Sequence, residues 1–241
     1  MDYNKTFETR GHAYTYAVYT YPRALENEFK TAVEQLDIQT SDTILNIPAS
    51  CIELKQYFTT SPKIYYEFET NPTFAKLTNT QVCNFFTIPL PDKSITKIIS
   101  LASLHHMTNE ERPIFYRECK RILQPGGLLL IGDVKKDSQQ DKWLNEYVNR
   151  YNSQGHNGLF WSEGDCKLLE QEGYTTHMTE KDYTWNFTSK EELIDFAKHL
   201  FGLDLATDEQ IWQGVQDYLT LNQKTYELSW KLVYLHAVLC P

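Results

Sequence analysis

The chain has 241 residues, enough for one domain of generous size or a domain with a lid. Its 32 acidic side chains against 23 basic ones leave a net charge of −9, which argues against DNA or RNA as a main partner, because holding phosphates requires basic surface. No stretch approaches the ~18 apolar residues of a membrane span, and the polar start MDYNKTFETRGH lacks a signal-peptide core. The five cysteines show no CxxC spacing, so neither a disulfide framework nor a zinc site is expected, and a reducing cytoplasm is the natural compartment.

In chain order, residues 1–11 are polar and expected to be loose or lightly docked. Tyr14, Tyr16, Tyr19 and Tyr21 follow. Ala24, Phe29, Ala32, Val33 and Leu36 recur at helical spacing, which predicts a helix from about Pro22 to Leu36 with the proline in its first turn. Thr43 to Ile47 reads as a short buried strand, CIELKQYF as a helix start and KIYYEFE as a second strand. A helical FAKL, an extended VCNFFTIPLP and a fourth strand in SITKIISLASLHHM come next. The unbroken apolar run of that fourth strand is what a parallel strand covered on both faces requires. ERPIFYRECKRIL has helical period, QPGG stops it, and LLLIGDV is a fifth strand.

Strands alternating with helices at this spacing imply right-handed βαβ units and a parallel sheet. The tail differs. DYTWNF reads as a sixth strand, SKEELIDFAKHLFGL and TDEQIWQGVQDYLTL as amphipathic helices, and YELSWKLVYLHAVL as a final strand. The expectation is one α/β domain over 1–241: a cap segment (1–40), a core (41–180), a helical insertion (189–222) that can serve as a lid, and the last strand (226–240).

Three blocks stand in order within the core: Pro89-Leu90-Pro91-Asp92, then Leu104-His105-His106, then Arg121-Ile122-Leu123-Gln124-Pro125-Gly126-Gly127. From about Thr43 to Val134 the chain resembles the class I S-adenosylmethionine-dependent methyltransferases that act on small molecules. The resemblance implies a Rossmann-like, doubly wound, mostly parallel seven-stranded sheet whose last strand is antiparallel. It implies S-adenosylmethionine as cofactor, lying across the carboxyl ends of the first strands. It assigns cofactor contacts to Asn46, Ile47, Pro48, Ala49, Glu69, Thr70, Asn84, Phe85, Leu101 and Ala102, with Glu69 as the acid that accepts from the ribose hydroxyls; the alternative for Glu69 is a solvated residue at a strand end.

The chain departs from the family where the first strand ends. An acid-x-Gly-x-Gly loop is usual; here Asn46-Ile47-Pro48-Ala49-Ser50-Cys51-Ile52-Glu53 contains no glycine, and positive φ there costs ~1–2 kcal/mol per residue. Asn46, Asn84 and Thr96 stand where the family often has acids, which weakens attraction for a cationic cofactor. The loop is therefore expected to be reshaped, or the pocket partly filled.

Two functions follow. One is methyl transfer from S-adenosylmethionine to a small organic acceptor. The other is a methyltransferase fold that has lost methyl transfer and acts as a cyclase- or isomerase-type enzyme or as a binding subunit. The candidate proton acceptors are His105, His106 and His156, each with the alternative of a packing role. Tyr14, Tyr16, Tyr19, Tyr21 and Trp161 are candidates for enclosing the substrate, against the alternative of helix packing or a surface loop. Asn71-Pro72-Thr73-Phe74 follows the second strand rather than the fourth, so it is not the motif of nucleic-acid amino-methyltransferases. No Gly-x-Ser-x-Gly elbow exists. No metal is expected, because adjacent histidines at a strand end point apart. The oligomeric state is open.

Overall fold

The computed structural model describes residues 3–241. Among them no helix is long and apolar enough to cross a membrane. Five parallel strands form one side of the sheet: β1 (Thr43–Asn46), β2 (Ile64–Glu69), β3 (Gln81–Val82), β4 (Ile95–Leu101) and β5 (Leu123–Asp133). β6 (Tyr174–Asn186), the two-residue β7 (Leu221–Asn222) and β8 (Glu227–Leu239) complete it. The strand order is β3-β2-β1-β4-β5-β8-β6, with β7 also pairing with β8. β8 runs antiparallel to both β5 and β6. This is the expected doubly wound arrangement. Its strand order reverses between β1 and β4, which places a crevice at the carboxyl ends of those strands. β1 faces Glu67 of β2 and Ile99 of β4 across Asn46, and Leu101 pairs with Gly132, so the carboxyl ends of β1, β2, β4 and β5 come together.

The core is built by the apolar faces read from the sequence. Ile44 and Leu45 of β1, Ile98 and Ile99 of β4, and Leu129 and Leu130 of β5 are fully buried. Helix α2 (Pro22–Leu36) has the predicted bounds, with Pro22 in its first turn and Asp37 closing it in the left-handed region. It packs on β4, β5 and β6 through Ala24, Leu25, Phe29, Ala32 and Val33. Gly127, in the turn before the regular part of β5, is held to glycine by contact: a Cβ there would meet the Gln124 carbonyl at 2.8 Å and the Thr96 carbonyl at 3.1 Å.

Three sequence expectations are corrected. The polar start is not loose: Tyr3–Thr20 form one 18-residue helix, α1. Its weak amphipathic signal hides the fact that Tyr3, Phe7, Ala17 and Val18 are buried by tertiary contact. Of the extended stretch VCNFFTIPLP only Val82 belongs to a strand, the two-residue β3, because beyond it the chain turns at Asn84, whose side chain accepts from the Phe86 amide. DYTWNF is only the end of β6, a 13-residue strand paired along its whole length with β8.

The remaining helices are α3 (Pro72–Thr78), α4 (Glu111–Ile122), α5 (Gln139–Lys142), which passes through a π turn (Trp143–Val148) into α6 (Asn149–Tyr151), α7 (Glu163–Gln171), α8 (Lys190–Phe201) and α9 (Asp208–Tyr218). The predicted helical insertion is α8 and α9, each with a side-chain cap, Ser189 and Thr207. α8 packs on α1: Arg10 donates to the Leu200 carbonyl at 2.7 Å and Tyr21 to Asp195 at 2.6 Å.

One buried cation locks the loop between α6 and α7. Arg112 of α4 is 2% exposed, pairs with Asp165 of α7, donates to the Leu159 carbonyl and lies 4.3 Å over the Trp161 ring. Replacing it with an apolar residue leaves Asp165 buried without its counter-charge. Arg112→Met is therefore expected to lower the unfolding free energy by about 3–5 kcal/mol. Urea denaturation measures it, and a loss below 1 kcal/mol would show that the pair is not a structural lock.

Candidate functional site at the carboxyl ends of the sheet

The site begins with Asp133, the last residue of β5, 1% exposed. Its Oδ1 lies 2.9 Å from Nδ1 of His105 and accepts the Val134 amide at 2.8 Å, while Oδ2 accepts the His105 amide at 3.1 Å. Burial alone would push this carboxyl up; His105 and the hydrogen bonds outweigh it and hold it below its ordinary value. His105 and His106 are not at a strand end, as the sequence suggested, but in a 3-10 turn, Leu104–His106, after β4. That turn brings their rings to 4.2 Å between centroids, so the two side chains do not point apart.

His156 arrives from the α6–α7 loop. Leu159 donates to the His105 carbonyl at 2.8 Å and Trp161 to the Val134 carbonyl at 3.0 Å, which ties the loop to the ends of β4 and β5. Asn149 accepts the His156 amide at 2.8 Å, and Asn145 accepts the Gly158 amide at 2.7 Å. Gly158 is needed at this approach: a Cβ would lie 3.1 Å from the His105 ring. The His156 ring sits 5.5 Å from His105 and 5.7 Å from His106. Burial, with His105 as a like-charged neighbour, pushes both His106 and His156 well below the usual histidine range, so both are neutral at physiological pH.

The three imidazoles form one wall of a cavity of about 90 Å³. The other walls include Phe7, Arg10 and Tyr14 of α1, Glu28 of α2, Ala102, Trp185 of β6 and Trp230 of β8. This space suits about three waters at ~30 Å³ each, well short of the ~300–1,000 Å³ of ordinary ligand pockets. A wider cleft of about 670 Å³ opens on the other side of His156, between α1 and residues 154–157.

Glu69, at the end of β2, is fully buried. Its Oε1 accepts the amides of Thr70 (2.7 Å) and Asn71 (3.0 Å), and its Oε2 accepts the Ser50 amide (2.8 Å) and the Tyr3 hydroxyl (3.2 Å). A carboxylate has about four acceptor sites, so this one is saturated, and its fourth donor comes from the chain's own first helix. Burial raises it above the ordinary value despite these bonds. Phe7 stacks on Phe74 at 5.1 Å, and Tyr3 packs edge-on to Phe85 and His106. Within the glycine-free loop Ser50 takes φ +51°, and its amide donates to Glu69. Asn46, Ile47 and Ala49 are buried behind it, and the Asn46 amide nitrogen has no partner.

The other residues singled out in the sequence scatter. Thr70 and Leu101 are buried and Ala102 lines the cavity, whereas Asn84 is exposed with its carbonyl used by its own turn. Pro48 is also buried in the loop. Thr96 lies at the amino end of β4, bonded to Asp42 and Thr43, and is remote from the crevice by strand direction. Of the aromatics, Tyr14 lines the cavity and the rest do not. Tyr16 and Tyr19 are 45% and 50% exposed, Tyr21 is bonded to Asp195, and Trp161 is buried under Arg112. On α1 Tyr14 and Tyr16 lie about 200° apart, and Tyr21 sits past its end at the cap of α2, so the four do not share one face.

Asp133, Glu28 and Arg10 were not singled out. Asp133 had a signal, an acid closing an apolar strand at its carboxyl end. Glu28 had another, an acid within the apolar stripe of α2. Arg10 had none.

Residues 52–131 match the model of the methyltransferase-domain family. No curated protein sequence matches the chain. Among solved structures, the YcgJ protein of Bacillus subtilis is 14% identical with a TM-score of 0.66, over 90% of this chain and 99% of that one. Phosphoethanolamine N-methyltransferase 2 of Haemonchus contortus, solved with phosphomonomethylethanolamine and S-adenosylhomocysteine, is 13% identical with a TM-score of 0.63, over 100% of this chain and 61% of that one. The [4+2]-cyclase SpnF is 15% identical with a TM-score of 0.56, over 89% and 81%. At these identities the likeness is one of fold: the Rossmann-like fold of S-adenosylmethionine-dependent methyltransferases.

Glu28 gives the cavity a measurable titration. Burial lifts its carboxyl to about 7, although the Trp185 indole donates to it at 3.0 Å. Tyr14 of α1, Asp133 of β5, Tyr183 of β6 and Tyr234 of β8 are its titratable neighbours. The fold binds this proton more tightly than the unfolded chain does, so stability falls as pH rises from about 4.5 to about 7 and stays low above. Glu28→Gln removes that slope. Its stability relative to the unaltered protein is expected to rise by about 3 kcal/mol between pH 4.5 and 8. Urea denaturation at a series of pH values checks this; parallel curves for the two proteins would refute it.

Proposed function

We propose that the protein transfers a methyl group from S-adenosylmethionine to a small organic acceptor. The observation that carries this reading is the methyltransferase-domain match over residues 52–131, joined to a buried acid, Glu69, at the end of β2. The residues suit such a cofactor once the first turn of α1 has moved. Glu69 then loses its Tyr3 donor and offers Oε2 to ribose hydroxyls, and the orphaned Asn46 amide nitrogen offers a donor at the end of β1. Ile47, Pro48, Ala49, Thr70, Phe85, Leu101 and Ala102 would line that place. The bound cofactor supplies an already activated methyl group, so the protein's task is alignment, exclusion of water and proton removal.

The chain supplies these from the cavity walls. Phe7 and Tyr14 of α1, with Trp185 and Trp230, present rings to the acceptor, and the same movement of α1 has to open the cavity beyond its 90 Å³ to admit it. Glu28 takes the proton that the acceptor loses, because its carboxyl titrates near neutral pH. A net negative chain with a small, enclosed cavity favours a small-molecule acceptor over a nucleic acid.

One observation favours the second reading, a methyltransferase fold that does not transfer methyl groups: Tyr3 already sits where the ribose would bind, and it completes the shell of Glu69. Calorimetric titration with S-adenosylhomocysteine separates the two. If α1 is a displaceable lid, Tyr3→Ala removes a competitor and tightens binding by about tenfold, the worth of one hydrogen bond of roughly 1.4 kcal/mol, and Glu69→Ala abolishes binding. No binding by either the unaltered protein or Tyr3→Ala at millimolar ligand ends the methyl-transfer reading and leaves the second.

A further inference from the structure

Among the described residues, the group that brings three metal-ligating side chains together is His105, His106 and His156. We propose that these three histidines bind a divalent first-row transition metal, zinc by preference, with an open coordination position facing the cavity. The proposal goes beyond methyl transfer and does not depend on it.

The first argument is distance. One ring nitrogen from each residue lies within 4.8 Å of the other two. Tetrahedral zinc with Zn–N bonds of about 2.0–2.1 Å places its nitrogens roughly 3.4 Å apart, so the rings need to close by about an ångström. Rotation about the side-chain torsions supplies such a shift without moving the backbone.

The second argument is the state of each nitrogen. Asp133 carries only acceptors when ionised, so the His105 Nδ1 facing it holds the hydrogen and Nε2 is left as a lone pair. This is the carboxylate–histidine arrangement that orients a metal ligand and raises its basicity. Asn145 does the same for His156. Its amide nitrogen donates to Asp141 and to the Gly158 carbonyl, which fixes its oxygen toward His156 Nδ1 at 3.4 Å. His156 thus keeps Nε2 free. His106 has a buried Nδ1 with no partner, an unmet polar atom in the middle of the group.

The third argument is the surroundings. Asp133 and Glu28 line the cavity together with a single lysine or arginine, Arg10. His156 also lines the wider cleft between α1 and residues 154–157. Three imidazoles with a fourth position open to a cavity is the pattern of sites in which the metal holds a water or a substrate atom, and imidazole donors suit zinc, copper, iron and nickel.

The test uses the full chain, stripped with a chelator and titrated with Zn²⁺ and with Co²⁺. One ion per chain is expected, with the intense visible absorption of tetrahedral Co²⁺. X-ray absorption on the unaltered zinc-loaded protein should show three imidazole nitrogens. His156→Gln and His106→Gln, folded by circular dichroism, should weaken binding at least 100-fold. Asp133→Asn should weaken it about 10–100-fold by its outer-shell role. The cross-strand pair His177 and His236, with rings 6.4 Å apart, is the competing site, and His177→Ala with His236→Ala should leave binding unchanged. Failure of the unaltered protein to bind, a shell with fewer than three imidazoles, or binding that depends on His177 and His236 would each overturn the proposal. Because the titration contains no methyl donor, its outcome is independent of the calorimetry on Tyr3→Ala.

Discussion

A single buried carboxylate organises this site. Asp133 ends β5 where the parallel strands deliver their carboxyl ends, and it fixes the ring of His105 together with the backbone amides of His105 and Val134. A buried charge without such partners would be costly enough to neutralise itself. Here the partners reverse the effect of burial and keep the group ionised. The clamp sets the turn after β4, and that turn exposes the His105 carbonyl that receives the loop carrying His156. The three imidazoles therefore share a wall because one acid closes one strand.

The first helix has the opposite character. Its inner face is aromatic, Tyr3 and Phe7 against Phe74 and Phe85, and Tyr3 meets Glu69 through a phenol hydrogen bond. Such a bond has a net worth of about 0.5–1.5 kcal/mol, which a ligand with two ribose hydroxyls can match. The apolar packing adds to that cost. The loop after β1 uses the left-handed Ser50 to turn an amide onto Glu69.

The individual elements were legible because each strand and helix declares itself within ten or so neighbouring residues, whereas the doubly wound arrangement followed from the family resemblance. The bounds of α2 followed from Pro22 and the spacing of Ala24, Phe29, Ala32 and Val33. β4 followed from its unbroken apolar run and the turn before β5 from Pro125-Gly126-Gly127. α1 was missed because its buried residues, Tyr3, Phe7, Ala17 and Val18, do not make one apolar stripe, and what buries them comes from α3, α8 and the strand ends. Of the four tyrosines expected to enclose the substrate, Tyr16 and Tyr19 stand on α1 facing solvent.

From the sequence alone, periodicity and turn chemistry determined the alternating strands and helices of a parallel sheet, because they act over a few residues; the family resemblance carried its Rossmann-like form, its antiparallel end and the acid at the end of β2. The sequence also named the three histidines. Only the tertiary structure decided that they meet, that Asp133, Glu28 and Arg10 join them, and that Tyr3 reaches Glu69 across 66 residues of chain. Those meetings depend on how separate elements dock, through burial and hydrogen bonds between residues far apart in the chain, and no local pattern records them.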